Sequence, residues 1–156
     1  MKIEICADYG QVCVFDPGLN DPFNDWDDIH VKQGFAWRPG SVSFSVPLSG
    51  YWDFNIEINS SFDRENGEYI RGISVPFIIQ ENQVEIGGVI SSEVYGIETG
   101  TYELLFVIHN MESEEGQPEG SLYFLKREGV TPAEVFRKDS ELTPQEELKM
   151  TALPAL

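Results

Sequence analysis

A strict two-residue alternation constrains this chain more than any other feature. Val42, Phe44 and Val46 alternate with Ser41, Ser43 and Ser45. After Pro47-Leu48-Ser49-Gly50 the pattern returns as Trp52, Phe54, Ile56 and Ile58 against Asp53, Asn55, Glu57 and Asn59. Successive side chains of a strand point to opposite faces, so this spacing builds a half-buried strand and cannot lay one apolar stripe along a helix. One face of each strand is expected in the core, with the serine or acidic face in water.

The rest of the chain repeats the theme. Ile3, Ile5, Val12, Val14 and Phe15 form short runs around Asp8-Tyr9-Gly10, which reads as an opening hairpin. With Tyr9-Gly10 as a two-residue turn, Cys6 faces Cys13 in a hydrogen-bonded pair whose Cα atoms lie about 5.5 Å apart. That is within disulfide range, but the expectation is two reduced, partly buried thiols. Asp16 to Pro22 is turn chemistry throughout. Tyr69 to Ile79 is a strand region interrupted by Gly72 and Pro76, and the proline suggests an edge or a bulge. Beyond the Glu81-Asn82 turn, segments ending at Ile90, Ile97 and His109 look like a meander, and Ser121 to Lys126 is a final strand. Asn59 to Glu68 and Asn110 to Gly120 are polar loops.

This pattern predicts an all-β fold, an antiparallel β-sandwich of roughly eight or nine strands. Two short helices are expected beside it. Asn24 to Lys32 carries Asp25, Asp27 and Asp28 near a helix N-terminus, Lys32 near its end and Gly34 as a stop. Thr143 with Pro144 behind it and Glu146 three residues on reads as a capped helix running to about Thr151. The expected division is a β-sandwich domain over 1–127 and a C-terminal extension over 128–156.

Charge narrows the function classes. Ten Lys and Arg stand against 27 Asp and Glu, a formal net charge of −17 over 156 residues. Such a field repels phosphate, so direct nucleic-acid binding is disfavoured and a basic protein is the natural partner. The plain alternative is a surface that only confers solubility. No segment approaches the roughly 20 apolar residues that span a bilayer, and the start has no signal-peptide form, so the expected location is cytoplasmic and off the membrane.

The catalytic motifs are missing. The two histidines, His30 and His109, have no nucleophile beside them in sequence, and no Gly-x-Ser-x-Gly elbow occurs. Asp25-x-Asp27-Asp28 lacks the spacing and terminal Glu of a calcium loop, and capping the short helix is the favoured role for these aspartates. Gly87-Gly88 fits no phosphate-cradling pattern. A carboxylate pair for glycoside hydrolysis carries no specificity in so acidic a chain. Among the aromatics Trp26, Phe35, Trp37, Tyr51 and Trp52, the expectation is that Trp26 and Trp52 fill the core while Trp37, beside Arg38-Pro39-Gly40, is the surface candidate.

A family resemblance adds to this reading. Asp25-Trp26-Asp27-Asp28, Gln33-Gly34-Phe35-Ala36 and Gly40-Ser41-Val42-Ser43-Phe44 resemble, in order, motifs of the competence protein J family, inhibitors of a bacterial DNA-entry nuclease. Ile73-Ser74-Val75-Pro76-Phe77 is similar to that family's Val-Pro-Phe strand, and Gly100-Thr101-Tyr102-Glu103-Leu104 to its Gly-Asp-Tyr-Gln-Leu segment. The resemblance covers roughly residues 11–109 and implies a non-enzymatic protein, without cofactor, that binds and silences a basic nuclease; relatives also suggest an immunity role. It assigns no contact residue.

From the charge pattern, the candidate partner-binding residues are Asp25, Asp27, Asp28, Trp37, Glu112, Glu114, Glu115 and Glu119. The alternative reading is a calcium- or carbohydrate-binding module centred on Trp37, Tyr51 and Asp25 to Asp28.

Overall fold

The computed structural model of the protein describes residues 1–112 and 116–156. The described residues form eleven strands in two sheets and one short helix. The first sheet has six strands: β1 (Lys2–Ala7), β5 (Gly50–Ile58), β10 (Glu119–Arg127), β9 (Gly100–Asn110), β6 (Arg71–Ile79) and β11 (Glu134–Arg137), adjacent in that order. The second has five: β3 (Phe35–Arg38), β4 (Ser41–Ser45), β2 (Gln11–Phe15), β7 (Gln83–Gly87) and β8 (Ser92–Gly96). The helix α1 spans Asp28–Gln33. The fold is all-β as expected, with more strands than the sequence suggested. It is not purely antiparallel, because β10 lies parallel to β5.

The alternating strands place their apolar residues where the periodicity demands. Trp52, Phe54 and Ile56 of the first sheet and Val12, Val14, Val42 and Phe44 of the second belong to one buried cluster. Phe44 stacks on Phe106 across the two sheets, with ring centroids 4.6 Å apart and planes 4° from parallel. Gly120 makes room for this layer, since a Cβ there would stand 2.6 Å from the Phe54 ring. Burying one such aromatic contributes about 1.5–3 kcal/mol. Trp52 is wholly buried as expected, whereas Trp26 is only half-buried and donates its indole N–H to Gln11.

The opening hairpin does not form. β1 pairs with β5, and β2 pairs with β4 and β7, so Cys6 and Cys13 sit in different sheets. Tyr9 and Gly10 take left-handed backbone angles (φ 57° and 65°) and carry the chain from one sheet to the other. β1 thereby gains the longer β5 as partner, β2 is paired on both sides, and the two send their apolar residues into the shared core from opposite sheets.

The serine face is not wet. Ser41 and Ser43 are buried because Pro22, Asn24 and Trp26 run across the outside of the second sheet; Asn24 donates to the Ala36 and Ser41 carbonyls at 2.9 and 3.3 Å. Small hydroxyl side chains leave space for that overlying segment. The loop before β6 likewise covers the first sheet. Phe62 and Tyr69 pack with Phe136 on Leu105, Val107 and Leu125, so β9 is buried on both faces, which explains its unbroken apolar run.

No C-terminal helix forms at Thr143–Thr151. The segment is an extended strap bound to α1 and the residues before it. Thr143 N donates to Lys32 O at 2.9 Å, Lys149 N to Gln33 Oε1 at 2.9 Å, Asp25 N to Leu153 O at 2.8 Å and Ala155 N to Phe23 O at 2.9 Å. Leu142 enters the main core beneath Gly34, whose φ of 86° and missing Cβ permit the approach. A lone helix this short is marginal in water, so spread-out bonds to the body outweigh the local capping signal. Pro76 fits the edge expectation: β11 reaches only Ser74, and beyond its end the Pro76 carbonyl accepts the Trp37 indole N–H at 2.7 Å.

Candidate functional site

The sequence candidates fall into separate places. Asp27 is the N-cap of α1 and accepts from Ile29 N at 2.9 Å and His30 N at 3.0 Å. In return His30 Nδ1 accepts from Asp27 N, which leaves the ring proton on Nε2, 3.1 Å from the Thr151 carbonyl. Lys149 also contacts Asp27, and with these donors it holds the carboxyl at about 2, well below its ordinary 3.8. Asp25 and Asp28 are exposed on either side. Trp37 is half-buried and floors a 300 Å³ cleft with Leu19, Pro39 and Pro76. Tyr51, in the other sheet, is not part of that cleft. Glu112 is exposed just past β9, and Glu119 begins β10; Glu114 and Glu115 lie outside the described residues.

Strand register assembles a group that linear reading missed. Glu4 of β1 stands opposite Asp53 of β5, and Asp53 stands opposite Glu119 of β10. Three carboxylates thus form one row across three neighbouring strands, on the face opposite the core residues Ile5, Trp52 and Phe54. Met1 and Ile56 exchange both backbone bonds (3.0 and 2.7 Å), so two-residue parity makes Glu4–Asp53 a non-hydrogen-bonded pair, the type with the closer side chains.

Like charges directly opposite one another destabilise a sheet. The row is held by few donors. Gln117 Nε2 donates to Asp53 at 3.0 Å and to Glu4 at 3.3 Å, and Asn110 Nδ2 reaches Glu119 at 3.4 Å. Among the described residues the one cation at the row is Lys2, 3.9 Å from Asp53 and itself largely exposed. Glu57 continues the same face along β5. Behind the row His109 Nε2 lies 2.7 Å from Ser121 Oγ, and burial pushes the imidazole below its ordinary range. This Ser–His contact is not a nucleophilic pair, because Ser121 is 1 % exposed and no substrate can reach its hydroxyl.

Among the described residues, no group of three or more His, Cys, Asp or Glu is arranged to hold a metal ion. The calcium alternative therefore finds no centre at Asp25 to Asp28. No helix of the described residues is long and apolar enough to cross a membrane. Cys13 is buried with its thiol pushed up to about 12, and the Asp8 carboxylate raises that of Cys6.

Two covered sheets that present a fixed row of carboxylates define an acidic all-β protein whose distinctive chemistry is anionic display. The family model described as competence protein J (ComJ) matches residues 4–126, and the chain belongs to that family. Among solved structures it is similar to the crystal structure of ComJ, described as an inhibitor of the DNA degrading activity of NucA, from Bacillus subtilis. The TM-score is 0.72 at 23 % identity, covering 81 % of this chain and 96 % of that one. No curated protein matches the sequence.

Proposed function

We propose that this protein is a non-enzymatic inhibitor that binds a DNA-degrading nuclease and silences it, built as a β-sandwich and acting in the cytoplasm. Membership of the ComJ family carries the reading. The like-folded ComJ of Bacillus subtilis is described as an inhibitor of NucA. The physical support is complementarity. An enzyme that acts on DNA presents cations to the phosphates, and a net charge of −17 addresses the same cations.

We assign the contact to the row Glu4, Asp53 and Glu119, with Glu112 exposed just past β9. Asp25 and Asp28 supply a secondary anionic patch beside α1. Because paired strands fix the backbone of the row, little backbone order is lost when a cationic groove meets it. Electrostatic steering brings association toward about 10⁸ M⁻¹s⁻¹ at low salt.

The test is DNA cleavage by NucA, and by the corresponding nuclease of the source organism, titrated with this protein at several salt concentrations. Stoichiometric loss of cleavage that weakens with salt is the expected outcome. Undiminished cleavage by both enzymes at low salt and excess protein overturns the reading.

A further inference from the structure

We propose that the cleft beside Glu4 receives an apolar side chain of the nuclease, flanked there by its basic residues. The inference rests on the inhibitor reading and adds a second kind of contact to it.

β1 ends the first sheet and β8 ends the second, and between these edges the two-sheet body opens as a cleft of 520 Å³. Its depth is apolar. Ile5 and Ile86, each 2 % exposed, belong to the main core, and half-buried Ile3 and Tyr95 are partly buried against it. Two acidic residues border it. Glu4 lines it at the β1 edge, while its carboxylate, bridged to Asp53 by Gln117, belongs to the acidic row on the outer face. Glu93, which register with Ile86 turns toward the inner face of β8, puts its carboxylate at the opening, 3.3 Å from the Tyr95 hydroxyl.

Among the described residues no Lys, Arg or His side chain lines the cleft, and the α-ammonium of Met1, which does line it, is taken up by the Ile56 carbonyl at 3.0 Å. An occupant therefore meets hydrocarbon in the depth and negative charge at the opening, which selects an apolar side chain with cationic neighbours. Strand addition fits less well, because an inward-turned charge on an edge strand discourages pairing with another chain.

Glu4 belongs to both features, so the cleft and the row form one continuous surface. The two parts have different roles. Exposed carboxylates mainly set the association rate and its salt dependence, whereas a desolvated anchor ringed by polar groups mainly sets the lifetime of a complex.

The experiment reads isoleucine methyl resonances of the wild-type protein as NucA is added, together with association and dissociation rates for two variants. Tyr95→Ala removes a wall of the cleft, and Ser91→Trp places bulk on its exposed rim. The expected result is that Ile3, Ile5 and Ile86 methyls shift to saturation, and that both variants dissociate about 10- to 100-fold faster with an unaltered salt dependence of association.

A complex that forms without shifting those methyls overturns the cleft and leaves the inhibitor reading standing. So do folded variants that dissociate at the wild-type rate. Failure of the wild-type protein to bind or inhibit the nuclease overturns both.

Discussion

Carboxylates near α1 and carboxylates on the β1–β5–β10 face come from the same acidic composition and are treated oppositely by the fold. Under α1, Arg71 is 1 % exposed and its guanidinium takes Asp139 at 2.8 Å, Glu141 at 3.1 Å and the Ser45 carbonyl at 2.8 Å. Lys149 likewise sits on Asp27. There Asp27, Asp139 and Glu141 each meet a cation, and these pairs tie the strap to the body. Along the row, Glu4, Asp53 and Glu119 face one another, and among the described residues Lys2 is the only cation beside them. At about 5 Å in water-like surroundings, two such charges repel by roughly 1 kcal/mol. The contrast separates carboxylates paired with cations from the row that we propose meets the nuclease.

The largest expected effect breaks the first half of this comparison. Arg71→Met leaves Asp139, Glu141 and the Ser45 carbonyl without their shared donor and loosens the strap where Leu142 enters the core. A loss of about 3 kcal/mol is expected, the lower end for breaking a buried ion pair, because both carboxylates remain partly solvated. Urea unfolding measures it. If the comparison is right, the folded fraction of this variant binds nuclease as the wild type does. A large fall in affinity at unchanged stability puts the partner on the strap instead.

The converse variant sharpens the second half. Replacing the row together, with Glu4→Gln, Asp53→Asn and Glu119→Gln, removes charge while keeping size and hydrogen-bonding capacity. Binding at low salt is expected to weaken about 10- to 100-fold, with a flatter salt dependence. Stability should hold or rise, because repulsion across the strands has been relieved. Rates at several salt concentrations and a thermal melt decide it. A variant that melts lower and binds unchanged shows the row to be structural.

The two regions also differ in how far they could be read from sequence. The cap at Asp27, the stop at Gly34 and the short helix between them are local features with sequence signatures, and α1 formed over Asp28–Gln33 accordingly. Alternation located β4 and β5 for the same reason, although the serine face of β4 that it placed in water is covered. Periodicity says that a strand exists without saying what it pairs with. Val12 and Val14 satisfied a hairpin pattern while belonging to the other sheet. The acidic row depends wholly on pairing. Glu119 was visible as a member of an acidic loop, but Glu4 and Asp53 looked like ordinary outward positions until register joined them. Thr143-Pro144 was misleading in the other sense, since a sound local helix signal lost to distant partners in α1.

The smallest expected effect tests whether Asp27 belongs with the structural carboxylates. Lys149 first, and then the backbone N–H of His30, keep its carboxyl at about 2 in the folded protein, against an ordinary 3.8. The folded state therefore takes up this proton less readily than the unfolded chain does. The stabilisation is complete above pH 3.8 and is lost as pH falls toward 2. Lys149→Met removes the first cause and keeps the cap, so its Asp27 should titrate closer to 3.8. Acid-unfolding curves of variant and wild type should then differ at neutral pH by a small constant amount and converge within that window. Because the side chains of Asp27 and Lys149 are both substantially exposed, the difference should shrink in high salt, whereas the Arg71 effect should persist there. Curves that stay apart below pH 2 would mean that Lys149 acts through the packing of its stem, and Asp27 would then hold the structure only as the cap of α1.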